Sequence, residues 1–179
     1  MIQTIPLGRV LQETVATPYR DLVTRPTGAA VRSWIQKAIA VSAAPTTLLD
    51  FTDVGLLDFS CADEIVAKLL LDTDPGADHY VMLLGAREDH AEAIDHVLNH
   101  HALAIAVVTG PGELPRLLGR VTPELERVFG CVFRLGPGDA GSIADMLGWT
   151  LERAADALLT LALLRLLRAE AGTFHPLPT

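Results

Sequence analysis

The sequence predicts an α/β domain followed by a mostly helical one, and three observations carry that prediction. Short apolar runs, Leu48–Phe51, Tyr80–Leu84 and Ala102–Val108, alternate with segments of helical period, the pattern of strands layered with helices. Gly110-Pro111-Gly112 interrupts the alternation and suits a boundary, dividing the chain into residues 1–110 and 111–179. Beyond it, apolar residues recur mostly at helical spacing.

In the first part, Ile2 to Val10 reads as an opening strand, and Thr17 to Pro26, with two prolines, as a connection. Thr27 is placed to cap a helix through about Ala40, with Ala30, Val31, Trp34, Ile35 and Ile39 on one side. Ala43-Ala44-Pro45 ends it before a strand that starts at Thr47. Asp53 to Gly55 forms a turn, and Leu56 and Leu57 return to the core. Ser60 then caps a helix, Asp63 completes a capping box, and Ile65, Val66, Leu69 and Leu70 follow at helical spacing. Asp72 to Asp78 is a loop, Tyr80 to Leu84 a strand, and Arg87 to His101 a helix with Ile94, Val97 and Leu98 inward. Ala102 to Val108 closes the series as a strand.

In the second part, Thr122 caps a helix to about Val128, with Pro123 in its first turn and Glu124 and Glu126 near its positive end. Cys131 to Leu135 reads as a strand. Asp139 caps Ala140 to Leu147, Gly148 ends that helix, and Thr150 caps a long helix from Leu151 to about Glu170. Gly172 to Leu177 is an extended tail.

Composition narrows the function classes. Half of the 179 residues are hydrophobic and 20% are charged, enough for a packed core. The net charge is −8, and the sequence pI is near 5.1, which argues against broad binding to nucleic acid or anionic membranes. The acidity belongs to residues 1–109, where 7 Lys+Arg face 14 Asp+Glu; in 110–179 the balance is 7 against 8. Two cysteines, Cys61 and Cys131, are no disulfide framework. The opening residues are neither basic nor apolar enough for a secretory signal. The longest apolar stretch, Ala154–Leu167, is interrupted by Asp156, Thr160 and Arg165 and is shorter than the ~20 residues of a membrane span. The expected setting is the cytoplasm, with no membrane contact.

Two resemblances follow from particular residues. The stretch Leu49-Asp50-Phe51-Thr52, then Asp53-Val54, then Asp58-Phe59-Ser60-Cys61 resembles the STAS domain of anti-sigma factor antagonists, where a strand is followed by Asp-Ser-Ser-Gly opening a helix. Phe59 stands for the first Ser and Cys61 for the Gly, and Ser60-Cys61-Ala62-Asp63-Glu64 is similar to the divergent STAS-like branch. The resemblance covers roughly residues 1–110. It implies a STAS-like sheet with helices, a protein partner that is an anti-sigma factor or a kinase-like ATPase, and Ser60 as the phosphorylated position. The second part resembles a winged helix-turn-helix. Ala144 takes the small-residue place in the first helix, Gly148 the turn and Leu158 the second helix, and the tail Gly172–Leu177 takes the place of the wing, pairing with Cys131–Leu135.

The candidate residues each carry a plain reading beside the functional one. Ser60 is a helix cap, or a cap that is also modified. A phosphate on it would meet Asp53, Asp58, Asp63 and Glu64, and that repulsion would expel a partner docked on Asp53, Asp58, Ser60, Cys61, Asp63 and Glu64. Cys61 reads as a small half-buried residue whose acidic neighbours raise its thiol pKa rather than as a nucleophile. Glu92, His96 and His100 share one helix face at metal-ligand spacing, but that face lies opposite the inward residues, so no metal is assigned. Thr150 and Arg153 are the candidate DNA contacts of the long helix, whose first turns also carry Glu152 and Asp156. The leucines from Leu158 to Leu167 cover more than one face and favour dimerisation or internal docking over DNA reading. The Gly-Pro-Gly segments are no phosphate loop, so no cofactor and no enzymatic activity are expected. The reading is a non-enzymatic regulator, with a DNA-binding regulator and a purely structural subunit as the alternatives.

Overall fold

A computed structural model describes residues 1–16, 18–110 and 112–179. Thr17 and Pro111, at the edge of the expected connection and in the expected break, lie outside the described residues. The chain forms two compact units, Met1–Arg120 and Val121–Thr179.

The first unit is an α/β layer structure. Strands β1 (Ile2–Pro6), β2 (Thr46–Asp50), β3 (Tyr80–Leu84), β4 (Ala104–Val108) and β5 (Arg116–Gly119) form one sheet in the order β1-β2-β3-β4-β5. The first four are parallel and β5 is antiparallel to β4. Helices α1 (Leu7–Val15), α2 (Arg25–Val41), α3 (Phe59–Ala62) and α5 (Glu88–His100) make the crossovers; α3 continues into a π-helical stretch, Asp63–Lys68, and then α4 (Leu69–Asp72). The register places Ile5, Leu49 and Leu83 side by side, and they join Val31, Ile35, Ile65, Ile94 and Leu98 in one buried cluster. The helices therefore lie on that face of the sheet. Burying such aliphatic side chains contributes about 1.5–3 kcal/mol each.

Several expected boundaries move. The opening strand stops at Pro6, because Leu7, Val10 and Leu11 follow at helical spacing and are all buried, as helix α1. Thr24, not Thr27, precedes α2, and Pro26 sits in its first turn, where its missing N–H costs nothing. The unit ends after Arg120 rather than at residue 110, because β5 adds to the sheet edge. Gly119 there has φ +99°, and a Cβ on it would lie 2.2 Å from the Leu103 carbonyl oxygen. The strand expected at Tyr80–Leu84 is β3, and the one expected at Ala102–Val108 is β4, which starts at Ala104 because Ala102 turns at φ +55°.

The second unit contains α6 (Pro123–Leu135), α7 (Ala140–Leu147), α8 (Leu151–Leu163) and a two-stranded antiparallel hairpin, β6 (Leu167–Glu170) with β7 (Thr173–Pro176). Thr122, Asp139 and Thr150 cap the helices through bonds from the N–H groups of Leu125, Ser142 and Arg153, and Gly148 closes α7 at φ +66°. Cys131–Leu135 is the end of α6, not a strand, since Leu125, Val128, Phe129 and Val132 make one continuous buried stripe. The long helix stops at Leu163 instead of Glu170. Arg165 adopts φ +60°, and the chain turns back so that Leu167–Glu170, rather than Cys131–Leu135, is the partner of the tail.

No helix among the described residues is long and apolar enough to cross a membrane.

Candidate functional site

The segment from Asp53 to Glu64 is held by side chains that the sequence reading did not single out. Arg87 on the edge of α5 donates to the carbonyls of Val54 (2.8 Å) and Gly55 (2.9 Å). His90, fully buried, accepts from the Arg87 N–H through Nδ1 (3.3 Å), and its Nε2 lies 2.7 Å from the Gly55 carbonyl. With Nδ1 accepting, Nε2 is the nitrogen that carries the hydrogen. The residues before α2 run alongside the same turn: Gly55 N–H donates to Arg20, Leu22 N–H to Leu56, and Asp58 N–H to Leu22.

Asp58 is the junction. It is the helix cap in place of Ser60. Its Oδ1 accepts from the Cys61 N–H (2.7 Å) and from the Ser60 hydroxyl (2.9 Å), and its Oδ2 accepts from the Thr24 N–H (2.9 Å). Thr24 is a non-glycine residue at φ +72°, a conformation that needs the surrounding structure to hold it. Its carbonyl also accepts from Cys61 Sγ at 3.0 Å. Burial pushes the Asp58 carboxyl up, but the bonds from Cys61, Thr24 and Ser60 overrule it and leave the group below its ordinary range.

Asp63 is not the other half of a capping box. Arg25 Nη1 donates to it at 2.8 Å, and His101 Nε2 lies 2.8 Å from its other oxygen. Arg25 Nη1 also reaches Glu64 Oε1 at 2.8 Å. Glu64 is buried at the helix–helix contact, where Lys68 pairs with Oε1 and Arg32 Nη2 lies 3.2 Å from Oε2, an ionic contact without hydrogen-bond alignment. Arg32 in turn pairs with Asp72. Burial works against ionisation of both acids, yet their cationic partners hold both carboxyls below the ordinary range. Gly28 permits this close approach, since a Cβ there would lie 3.0 Å from Cys61 Cα and from Glu64 Cβ.

The expected acidic face is thus a neutralised one. Asp58, Ser60, Cys61, Asp63 and Glu64 come together, whereas Asp53 lies apart from them on the turn, paired with Arg20 at 3.1 Å. A cleft of about 490 Å³ opens here, lined by Arg25, Phe59, Ser60, Asp63, His96, Val97, His100 and His101. Ser60 is half-buried at its wall, and Phe59, 55% exposed, packs at a tilt against His96 with ring centroids 4.8 Å apart. Cys61 is buried and its thiol is pushed up to about 12, by burial first and by Asp58 and Glu64 after it. It is therefore a protonated thiol at neutral pH. The Ser60 hydroxyl donates to a carboxylate, not to a histidine, so it lacks the base of a serine nucleophile.

Glu92, His96 and His100 are all exposed on α5, and no metal-ligating group of three or more is present among the described residues. His96 and His100 instead line the cleft. In the second unit, Thr150 is occupied as a cap, and Arg153 pairs with Glu124 and lies over the Trp149 ring at 4.0 Å. The cleft at the start of α8, about 500 Å³, is lined by Glu124, Glu152 and Asp156 beside that single arginine. The unit as a whole holds 5 arginines and no lysine against 7 acidic residues, a balance that opposes phosphate contact.

The chain matches no family model, no curated protein and no solved structure.

Proposed function

We propose that this protein is a non-enzymatic cytoplasmic regulator that docks a protein partner at the Ser60 cleft and is switched by phosphorylation of Ser60. The resemblance of Asp58-Phe59-Ser60-Cys61 to the STAS motif supports the partner class, an anti-sigma factor or kinase-like ATPase. The observation that carries the reading is the setting of Ser60. Ser60 is half-buried on the wall of a cleft, and its hydroxyl donates to Asp58 at 2.9 Å. In the transfer, the Oγ–P bond forms as the bond from the γ-phosphorus to its bridging oxygen breaks. The hydroxyl proton passes to a base on the partner, and the nucleoside diphosphate leaves there. Leu56 (62% exposed) and Phe59 flank Asp58 as apolar anchors for the docked protein.

The second unit is proposed as a winged-helix-like module for self-association rather than DNA binding. Leu151, Leu159 and Leu163 stand exposed along one side of α8, where a DNA reader would place polar side chains.

The test is capture of partners by the full-length chain from the host lysate, comparing wild type, Ser60→Ala and Ser60→Asp with melting curves as a check on folding. The reading predicts a protein retained by wild type and Ser60→Ala and lost, at least tenfold, by Ser60→Asp. Equal retention by all three contradicts it.

A further inference from the structure

We infer that the cleft is a receptor for a phosphomonoester, and that its occupant is the phosphate on this chain's own Ser60. The inference rests on the reading of Ser60 as a phosphorylated residue. The helical run that begins at Phe59 puts Ser60 one turn before Asp63 and Glu64, on the same side. Arg25 Nη1 holds both of those acids at 2.8 Å and His101 Nε2 holds Asp63 at 2.8 Å. Two donors therefore stand one turn from the Ser60 hydroxyl, and both line the cleft that Ser60 lines. His96 and His100 on α5 complete the wall.

Among the described residues, the polar and titratable groups lining this volume are Arg25 from α2, Ser60 and Asp63 from α3 and the π-helical stretch, and His96, His100 and His101 from α5 and its end; Asp58 and Glu64 are not in the lining but touch it through Ser60 and Arg25. Each carboxylate is already matched. Asp58 is held by the N–H groups of Cys61 and Thr24, Asp63 by Arg25 and His101, and Glu64 by Lys68 and Arg32 as well as Arg25. The phosphate adds about −1.5 to −2 charges and three acceptor oxygens. It competes for Arg25, which is half-exposed and, among the described residues, tied to Asp63 and Glu64, and Glu64 keeps Lys68 and Arg32 when Arg25 turns away. Phosphorylation thus rearranges the α2–α3 corner by drawing Arg25 and His101 from Asp63 to Ser60.

The experiment is phosphorus NMR on the full chain with phosphoserine installed at position 60 during synthesis, titrated from about pH 4 to 8. A captured phosphate stays dianionic to lower pH, so its midpoint lies about one unit below that of the same phosphoserine in an unstructured peptide. Arg25→Gln returns most of that shift, and the exposed pair His96→Gln with His100→Gln returns part of it without touching the buried network. A midpoint equal to the peptide's in the folded wild-type chain overturns the inference. Because the phosphate is placed by synthesis, a low midpoint stands even if no host kinase modifies Ser60; the regulatory reading then fails alone.

Discussion

Asp58 makes three hydrogen bonds from one carboxylate, to Cys61 N–H, Ser60 Oγ and Thr24 N–H. Removing it releases a helix cap and a left-handed threonine together. Asp58→Ala is expected to cost about 2 kcal/mol in a denaturant titration, with no loss of sheet content by circular dichroism. The carboxyls of Asp58, Asp63 and Glu64 all lie below their ordinary range in the folded chain. Their contribution is fully present above the unfolded values, around pH 4, and is lost as pH falls through the lower folded values. Melting temperature should therefore drop below about pH 5, and Asp58→Asn should flatten part of that drop. An acid profile unchanged by Asp58→Asn contradicts the assignment. At this scale the fold brings Asp58, Ser60, Cys61, Asp63 and Glu64 together, leaves Asp53 apart, and gives Ser60 and Asp63 other local roles than the capping box the sequence suggested. Ser60 and Asp58 are both good cap residues two positions apart, and only the path of the chain before α2 shows which one is used. His90 and Arg87 carried no signal at all, because a lone buried histidine and a surface arginine have no sequence pattern.

Between elements, the contact of α2 with the α3–π-helix run decides the site. Its charged centre is Glu64, a buried acid with Arg25, Arg32 and Lys68 around it. Removing the buried acid takes one partner from each of Arg25, Arg32 and Lys68, while Arg25 keeps Asp63 and Arg32 keeps Asp72, a loss of about 1–3 kcal/mol. Glu64→Ala is expected in that range by thermal or chemical denaturation, and Glu64→Gln, which keeps an acceptor oxygen, to lose less. Equal losses in the two variants contradict the ionic account. The sequence shows Glu64 only as one acid among four, since its partners lie 32 to 39 residues away on another helix or one turn onward. The same limit explains the missed β5 and the misplaced tail pairing. Arg116–Gly119 is too short to show a period, and Cys131–Leu135 is an apolar run that suits a strand as well as a helix until the stripe Leu125–Val132 is seen to continue through it.

Over the whole molecule, the α/β class and the helical character of the second unit were legible, because strand runs and helical stripes are properties of single segments. The break between units was less so. The break read at residues 110–112 does not end the first unit, which runs to Arg120. The acidic, arginine-occupied start of α8 and its exposed leucines predict a dimer. Leu163, 84% exposed, is the place to disrupt it: sedimentation should show a concentration-dependent dimer that Leu163→Glu shifts to monomer with melting temperature unchanged. A wild-type chain that is monomeric at all concentrations contradicts this. The central claim, however, is that Ser60 is a phosphorylated switch, and its most direct measurement is phosphopeptide mapping of the protein recovered from its host with the partner fraction on and off. The account predicts phosphate on Ser60 in the partner-free fraction and none in the partner-bound fraction. Ser60 unmodified in both contradicts it.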